Sequence, residues 1–202
     1  GRTSGRGDST IVSIFESYSK GYYKAPDKYY NEIIQRRQSV NVPPQANFVA
    51  FGTNLNAYAD YITILDEEIA TPFHPNALDY YEFELLGRYK PSDEQSIAHI
   101  RVTPKSSSRK LFSGFVDVEA YSAVPVRVDL TPNRAVQLPF DAALNYRQSF
   151  DLFGDGFVMP AGLHLFTTLK AEIFWIIDPR LDITIATVAY DYTFNTGLDD
   201  DL

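Results

Sequence analysis

From Asp79 onward the chain is written in short runs of period-two character with turn residues between them. The runs cover 79–89, 96–103, 111–120, 122–130, 144–153, 162–177 and 181–194. Between them stand "KPSDEQ", "TPKSSSRK", "TPNRAVQLPFDAA", "GDGFVMPA" and "DPR". Alternation of this kind marks half-buried strands, and proline, glycine and serine clusters mark the turns. No helix-period segment intervenes to carry a crossover, so parallel βαβ units are excluded and an antiparallel meander remains.

The segment before the meander reads differently. "IVSIFESYSKGYY" (11–23) is β-branched and aromatic and predicts a strand. Pro26 then opens "PDKYYNEIIQRRQS". Proline suits a first helical turn, Asp27 suits the positive end of a helix dipole, and Arg36 and Arg37 suit the negative end. Tyr30, Ile33 and Ile34 fall at i, i+3 and i+4, so the spacing predicts a helix over 26–38 with one apolar stripe. "NVPPQ" breaks it, and a second short helix is expected over 54–62. At the other end, "GLHLFTTLKAEIFWII" and "LDITIATVAYDYTF" carry apolar area on both faces. One face packs inward, and the other requires a helix, a partner or a ligand to cover it.

Composition narrows the function classes. There are 18 Lys plus Arg against 26 Asp plus Glu, a net charge of −8. An acidic chain lacks the basic footprint that nucleic-acid binding requires, so no nucleic-acid partner is expected. Cysteine is absent, which excludes disulfides, thiolate metal sites and a cysteine nucleophile. No run approaches the roughly 20 apolar residues of a membrane helix. The opening "GRTSGRGDST" has no apolar core of a signal peptide. Both ends are abrupt, which reads as an excised piece of something longer. Residues 1–10 are expected to be a flexible tail, 11–198 a single β-rich domain, and 199–202 an acidic tail. Arg6-Gly7-Asp8, the tripeptide some integrins read, is taken as a chance match.

The chain shows no catalytic signature. His74, His99 and His164 are widely spaced and form no metal-ligand pattern, and no cofactor is expected. His74 lies in the proline-bracketed "TPFHPN" and reads as a loop-shaping residue. His99 and His164 read as solvent-facing or edge positions of strands. No GxSxG elbow, phosphate loop or calcium loop occurs. Glu82 and Glu84, the one tempting carboxylate pair, are two apart on a strand and share a face. Carboxylates that do acid–base work generally face each other across a cleft from different elements. The pair therefore reads as a solvated wall opposite an apolar one made of Tyr81, Phe83 and Leu85.

The order of several segments resembles a known family. "NALDYYEFELLG", "IAHIRVTPKSSSRKLFSGFVDVE" and "VRVDLTPNRAVQLPF" resemble the middle region of Bacteroidetes-type outer-membrane proteins. Those proteins begin with a carboxypeptidase regulatory-like domain and end in a membrane β-barrel. The positions that carry the likeness are Asn76, Ala77, Tyr80, Tyr81, Leu85 and Gly87, then Ile100, Val102, Pro104 and Lys105, then Leu111, Phe112 and Gly114. "ESYSKGYYKAPDKYYNEIIQRRQS" resembles the family's strand and following helix, "VMPAGLHL" its "Trp-Met-Pro" turn with Val158 in place of Trp, and "YDYTFNTGL" the connection into the barrel. The resemblance spans about residues 11–198 and brings no catalytic residues with it. It implies a contiguous barrel and regulatory-like domain, and a place on the periplasmic face of the outer membrane. In texture more than in residues, the chain also resembles the LolA and LolB lipoprotein carriers, open half-barrels that hold acyl chains.

The expectation is thus a mainly β (α+β) domain: a curved antiparallel sheet or open half-barrel with one or two helices on its concave face. The expected function is non-catalytic, the binding or handing over of an apolar or lipidated partner. The acyl chain or lipoprotein would sit in a cavity lined by Tyr30, Ile33, Ile34, Tyr81, Phe83, Leu85, Leu163, Leu165, Leu169, Ile173 and Trp175. A structural or adhesion module, such as a virion or surface β-sandwich with aromatic-rich interfaces, is the alternative. A hydrolase of sugar polymers ranks third, because no acid–base pair can be identified.

Overall fold

The computed structural model describes residues 14–24, 28–39, 55–64, 66–93, 95–138, 142–154, 156–170 and 180–197, with backbone alone at 28, 29, 169, 170, 180 and 181. The chain divides into two compact units, residues 1–53 with 197–202, and residues 54–196.

The larger unit is built on one seven-stranded antiparallel sheet. Its strands are β5 (Tyr81–Ser92), β6 (Gln95–Pro104), β7 (Phe112–Glu119), β8 (Pro125–Pro132), β9 (Ala143–Phe153), β10 (Phe157–Lys170) and β11 (Arg180–Val188). Each pairs only with its sequence neighbours, so spatial order follows chain order. Outermost β5 and β11 do not pair with each other among the described residues, and the sheet stays open. The mainly β, antiparallel fold expected from the alternating runs is the fold observed.

Register places one set of alternating side chains on a common inner face. Val116 lies opposite Val128, which lies opposite Gln148, which lies opposite Leu163. One step along, Gly114, Leu130, Tyr146 and Leu165 align in the same way. Phe112, Val128, Leu130 and Tyr146 are fully buried there. The layer over this face comes from residues 55–80. It contributes Leu55, Ala57, Ile62, Ile64, Ile69, Ala70 and Ala77 to one continuous core with the sheet. Within it β3 (Tyr61–Ile64) and β4 (Glu67–Ala70) form a small hairpin. Its Ile62, Ile64 and Ile69 point inward by the same period-two rule.

Two buried side chains, Gln148 and Tyr81, fix this layer to the sheet, and a third, Thr71, ties the layer to itself. Gln148 Oε1 accepts from the Ala57 amide and from the Tyr146 hydroxyl, both at 2.8 Å, and its Nε2 donates to the Leu55 carbonyl at 2.8 Å. Tyr81 donates its hydroxyl to the Ala70 carbonyl at 2.5 Å and accepts from the Phe112 amide at 3.0 Å. Burial pushes the Tyr81 phenol up to about 12, even though the Phe112 amide acts against it. Thr71 Oγ1 donates to the Ala59 carbonyl at 2.5 Å and accepts from the Phe73 amide at 3.2 Å. Irregular backbone can be buried only when its polar groups find such partners.

The helix expected over 54–62 is absent: residues 55–60 are turns and 61–64 are strand. Asn56 Oδ1 accepts from the Tyr58 amide at 3.0 Å, a local side-chain bond that competes with helical pairing. The only α-helix among the described residues is one turn, α1 (Ala77–Tyr80). Helices on the concave face are therefore replaced by a hairpin and turns.

The smaller unit contains β1 (Phe15–Lys24) and β2 (Lys28–Gln38), an antiparallel pair. The helix expected over 26–38 is a strand over 28–38. Cross-strand aromatic and charge contacts outweigh the i, i+3, i+4 stripe. Tyr22 packs on Tyr30 with ring centroids 5.9 Å apart, and the Arg36 guanidinium lies 5.3 Å from the Phe15 ring centre.

The last strand also ends early. β11 stops at Val188 rather than 194, and Asp191 and Asn195 have positive φ, which interrupts an extended run. The chain then folds onto the β9–β10 hairpin, with Phe153 against Tyr192 and Phe157 against Phe194 at 4.6 and 4.3 Å between centroids.

Candidate functional site

The residues expected to line an acyl cavity are not gathered around one among the described residues. Leu163 and Leu165 are buried in the core under the chain's own residues 55–80. Tyr81 belongs to the same core and both lone directions of its hydroxyl are engaged. Tyr30, Ile33 and Ile34 stand exposed on β2 of the smaller unit, on a strand and not a covering helix. Ile173, Trp175 and the side chain of Leu169 lie outside the described residues. The concave face is occupied because residues 55–80 carry their own isoleucines into it, which alternation in the sheet strands alone does not reveal.

Phe83 and Leu85 lead instead to an external surface. β5 is twelve residues long, pairs with β6 on one side, and has no partner on the other among the described residues. After Tyr81 every residue of the strand is exposed. Phe83 and Leu85 face the same side as Tyr81, being opposite Val102 and Ile100. The register then slips between Leu85 and Gly87, and Leu86 and Tyr89 follow, both well exposed. An edge strand this long with four large apolar side chains is uncommon in a protein that stands alone, since its unpaired amides and carbonyls invite a further strand. The Glu82–Glu84 pair meets the expectation of a solvated wall. Both are exposed, and Glu84 forms an ion pair at 2.6 Å with Arg101 directly across on β6. Exposed pairs of this kind contribute at most about 1 kcal/mol.

Beside this edge, the outer face of the sheet carries a polar network. Asp117 on β7 is 2% exposed although it points away from the core. Its Oδ1 lies 2.5 Å from His99 Nδ1 on β6, and its Oδ2 accepts from Arg127 on β8 at 2.7 Å. Tyr89 on β5 reaches Oδ2 with its hydroxyl at 3.3 Å. Register makes this cluster: His99 is opposite Asp117, and Asp117 is opposite Arg127. A buried carboxylate needs partners of this strength, because leaving it unpaired costs several kcal/mol. His99 donates through Nδ1 to the carboxylate, which turns Nε2 away from Asp117. The imidazole stacks on Phe115 with centroids 5.1 Å apart.

Over His99 the surface sinks into an open depression of about 340 Å³ lined by Leu86, Gly87, Arg88, Tyr89, His99 and Arg127. Gly87 is the residue opposite His99, and a Cβ built there meets nothing within 4 Å. The missing side chain keeps the depression open. Its lining sets the polar groups of Tyr89, His99 and Arg127 beside the apolar Leu86.

Two other histidines take the places expected of them. His74 shapes its loop, accepting from the Asn76 amide through Nδ1 at 2.9 Å, which leaves Nε2 to donate to Tyr61 at 3.0 Å. His164 is exposed on β10. Sequence reasoning misses the role of His99 and passes over Asp117. The available signal is the aspartate inside the apolar run "FVDVE", which a strand tolerates only if a partner meets it.

Among proteins already grouped, a family of unknown function, DUF5686, has a family model that matches residues 2–176. No curated protein and no solved structure matches the chain.

Proposed function

We propose that this chain, which belongs to the family of unknown function DUF5686, is a non-catalytic binding module of an outer-membrane protein. It stands on the periplasmic face and binds or hands over an apolar or lipidated partner. The observation that carries the reading is β5. The strand is a free edge among the described residues and exposes Phe83, Leu85, Leu86 and Tyr89 together. Backbone pairing along the edge supplies affinity, and apolar side chains on both sides of it supply contact for an acyl chain. The outer-membrane setting rests on the sequence resemblance. The concave face is already filled by residues 55–80, so the partner is received outside the sheet.

Binding of a palmitoylated peptide, followed by fluorescence anisotropy, tests the reading. Each buried methylene contributes about 0.8 kcal/mol, so shortening the acyl chain by two methylenes is expected to weaken binding about fifteen-fold. Leu85→Lys is expected to weaken it at least about tenfold with the fold intact, since Leu85 is 55% exposed. If Leu85→Lys weakens binding but acyl length has no effect, the edge is a protein interface, and the structural-module alternative replaces lipid binding. Binding indifferent to Leu85→Lys overturns the reading altogether.

A further inference from the structure

We propose that the partner received along β5 is an acylated peptide whose residues next to the lipid are acidic. The inference rests on the reading of β5 as the binding edge, and it adds the charge and the orientation of what that edge binds.

Charge along β5 is divided by its register slip. Glu82 and Glu84 precede the slip, and Arg88 and Lys90 follow it. All four are exposed. Glu84 is engaged by Arg101, whereas Arg88 and Lys90 have no ion pair or side-chain hydrogen bond among the described residues. Carboxylates outnumber cations 26 to 18 in this chain, yet none of those described meets either side chain.

Register also gives the side. Leu85 is opposite Ile100 and Arg88 is opposite Ala98, so both leave the strand toward the core side, away from His99. Phe83, opposite Val102, precedes them on that side. The three form one row: apolar, apolar, cationic. Ile100 and Ala98 are two residues apart, which places Arg88 about 7 Å beyond Leu85. The β6 and β7 positions around Arg88 on this side are Ala98, Ile100, Val116 and Val118. Asp117 and Glu119 alternate with those valines and point to the other face. No carboxylate of these strands faces Arg88, so an anion that meets it comes from the partner. A carboxylate suits the guanidinium fork, which can engage both of its oxygens.

The free edge favours a peptide over a free lipid. The outward amides and carbonyls of β5 form a ladder that only another backbone can pair with. One molecule lays an acyl chain on Phe83 and Leu85 and a carboxylate on Arg88 when its acidic residues directly follow the lipid-bearing one.

Three palmitoylated peptides, compared by fluorescence anisotropy, test this. They are identical except that the two residues after the acylated one are Glu-Glu, Gln-Gln or Lys-Lys. The Glu-Glu peptide is expected to bind about fivefold tighter than the Gln-Gln peptide, the scale of exposed ion pairs, and the Lys-Lys peptide more weakly still. Arg88→Gln with Lys90→Gln is expected to abolish the differences among the three. Arg88→Glu with Lys90→Glu is expected to invert their order. Both double variants are expected to keep a native circular dichroism spectrum, since all four substitutions fall on exposed positions. Equal binding of the three peptides to the unaltered protein, with the loss in Leu85→Lys still present, overturns this inference and leaves the reading of β5 standing. A Glu-Glu preference that persists in natively folded Arg88→Gln with Lys90→Gln also overturns it, because the charge is then read elsewhere. Palmitate that binds as tightly as the Glu-Glu peptide makes the occupant an anionic lipid and overturns the peptide. Binding by none of the three overturns both the inference and the reading beneath it.

Discussion

Replacing Gln148 by leucine is expected to destabilise the larger unit by about 3–5 kcal/mol. The substitution nearly conserves volume and adds no charge, so steric arguments alone would make it mild. Its effect comes from what it leaves behind. The Ala57 amide, the Leu55 carbonyl and the Tyr146 hydroxyl each lose their bond to the amide side chain. Gln148 is 1% exposed, so water cannot replace it without opening the layer. Each buried polar group left without a partner costs about 1–3 kcal/mol. Urea unfolding checks this through a lower midpoint with an unchanged slope. A loss below about 1 kcal/mol would mean that residues 55–57 are not held against the sheet.

Gly114→Ala is expected to be at least as damaging, about 3 kcal/mol or more, and to abolish folding where the margin is small. Gly114 has φ of +146°, a conformation that side-chain-bearing residues rarely adopt. A Cβ there would also run into the carbonyl oxygen of Asp129 on the neighbouring strand. That atom is backbone inside the β7–β8 pairing, so it cannot swing aside. Gly87→Ala is the matched control, another strand glycine but with open space around it and no positive φ. It is expected to stay within about 0.5 kcal/mol of the unaltered protein. Equal effects at the two positions would show that the close approach at Gly114 does not constrain the sheet.

The meander was legible because alternation reports directly on strands that are buried on one face. Runs 79–89, 96–103 and 111–120 correspond to β5, β6 and β7 within a few residues. Residues 26–38 were not legible because Tyr30, Ile33 and Ile34 suit a helical stripe as well as a paired strand. Only the partner strand decides between these, through contacts such as Tyr22 with Tyr30. The filled concave face was hidden for a related reason. Ile62, Ile64 and Ile69 sit in strands of four residues, too short to show a period against their surroundings. The outer-face network depends on register, and register is set by bulges such as those at Leu85–Gly87 and Asp117–Val118. No local pattern announces that His99, Asp117 and Arg127 become neighbours.

Together these features separate an interior closed by the chain itself from an outer edge that remains available. Amide hydrogen exchange with and without a palmitoylated peptide tests that separation most directly. The Ala57 amide, bonded to Gln148, and the Thr71 amide, bonded to the Asp60 carbonyl at 2.9 Å, are expected to exchange slowly in both conditions. New protection is expected in β5, at amides that β6 does not engage. Faster exchange at Ala57 and Thr71 on adding the peptide, with β5 unchanged, would mean that the acyl chain displaces residues 55–80 and enters the sheet's interior, and would contradict the account.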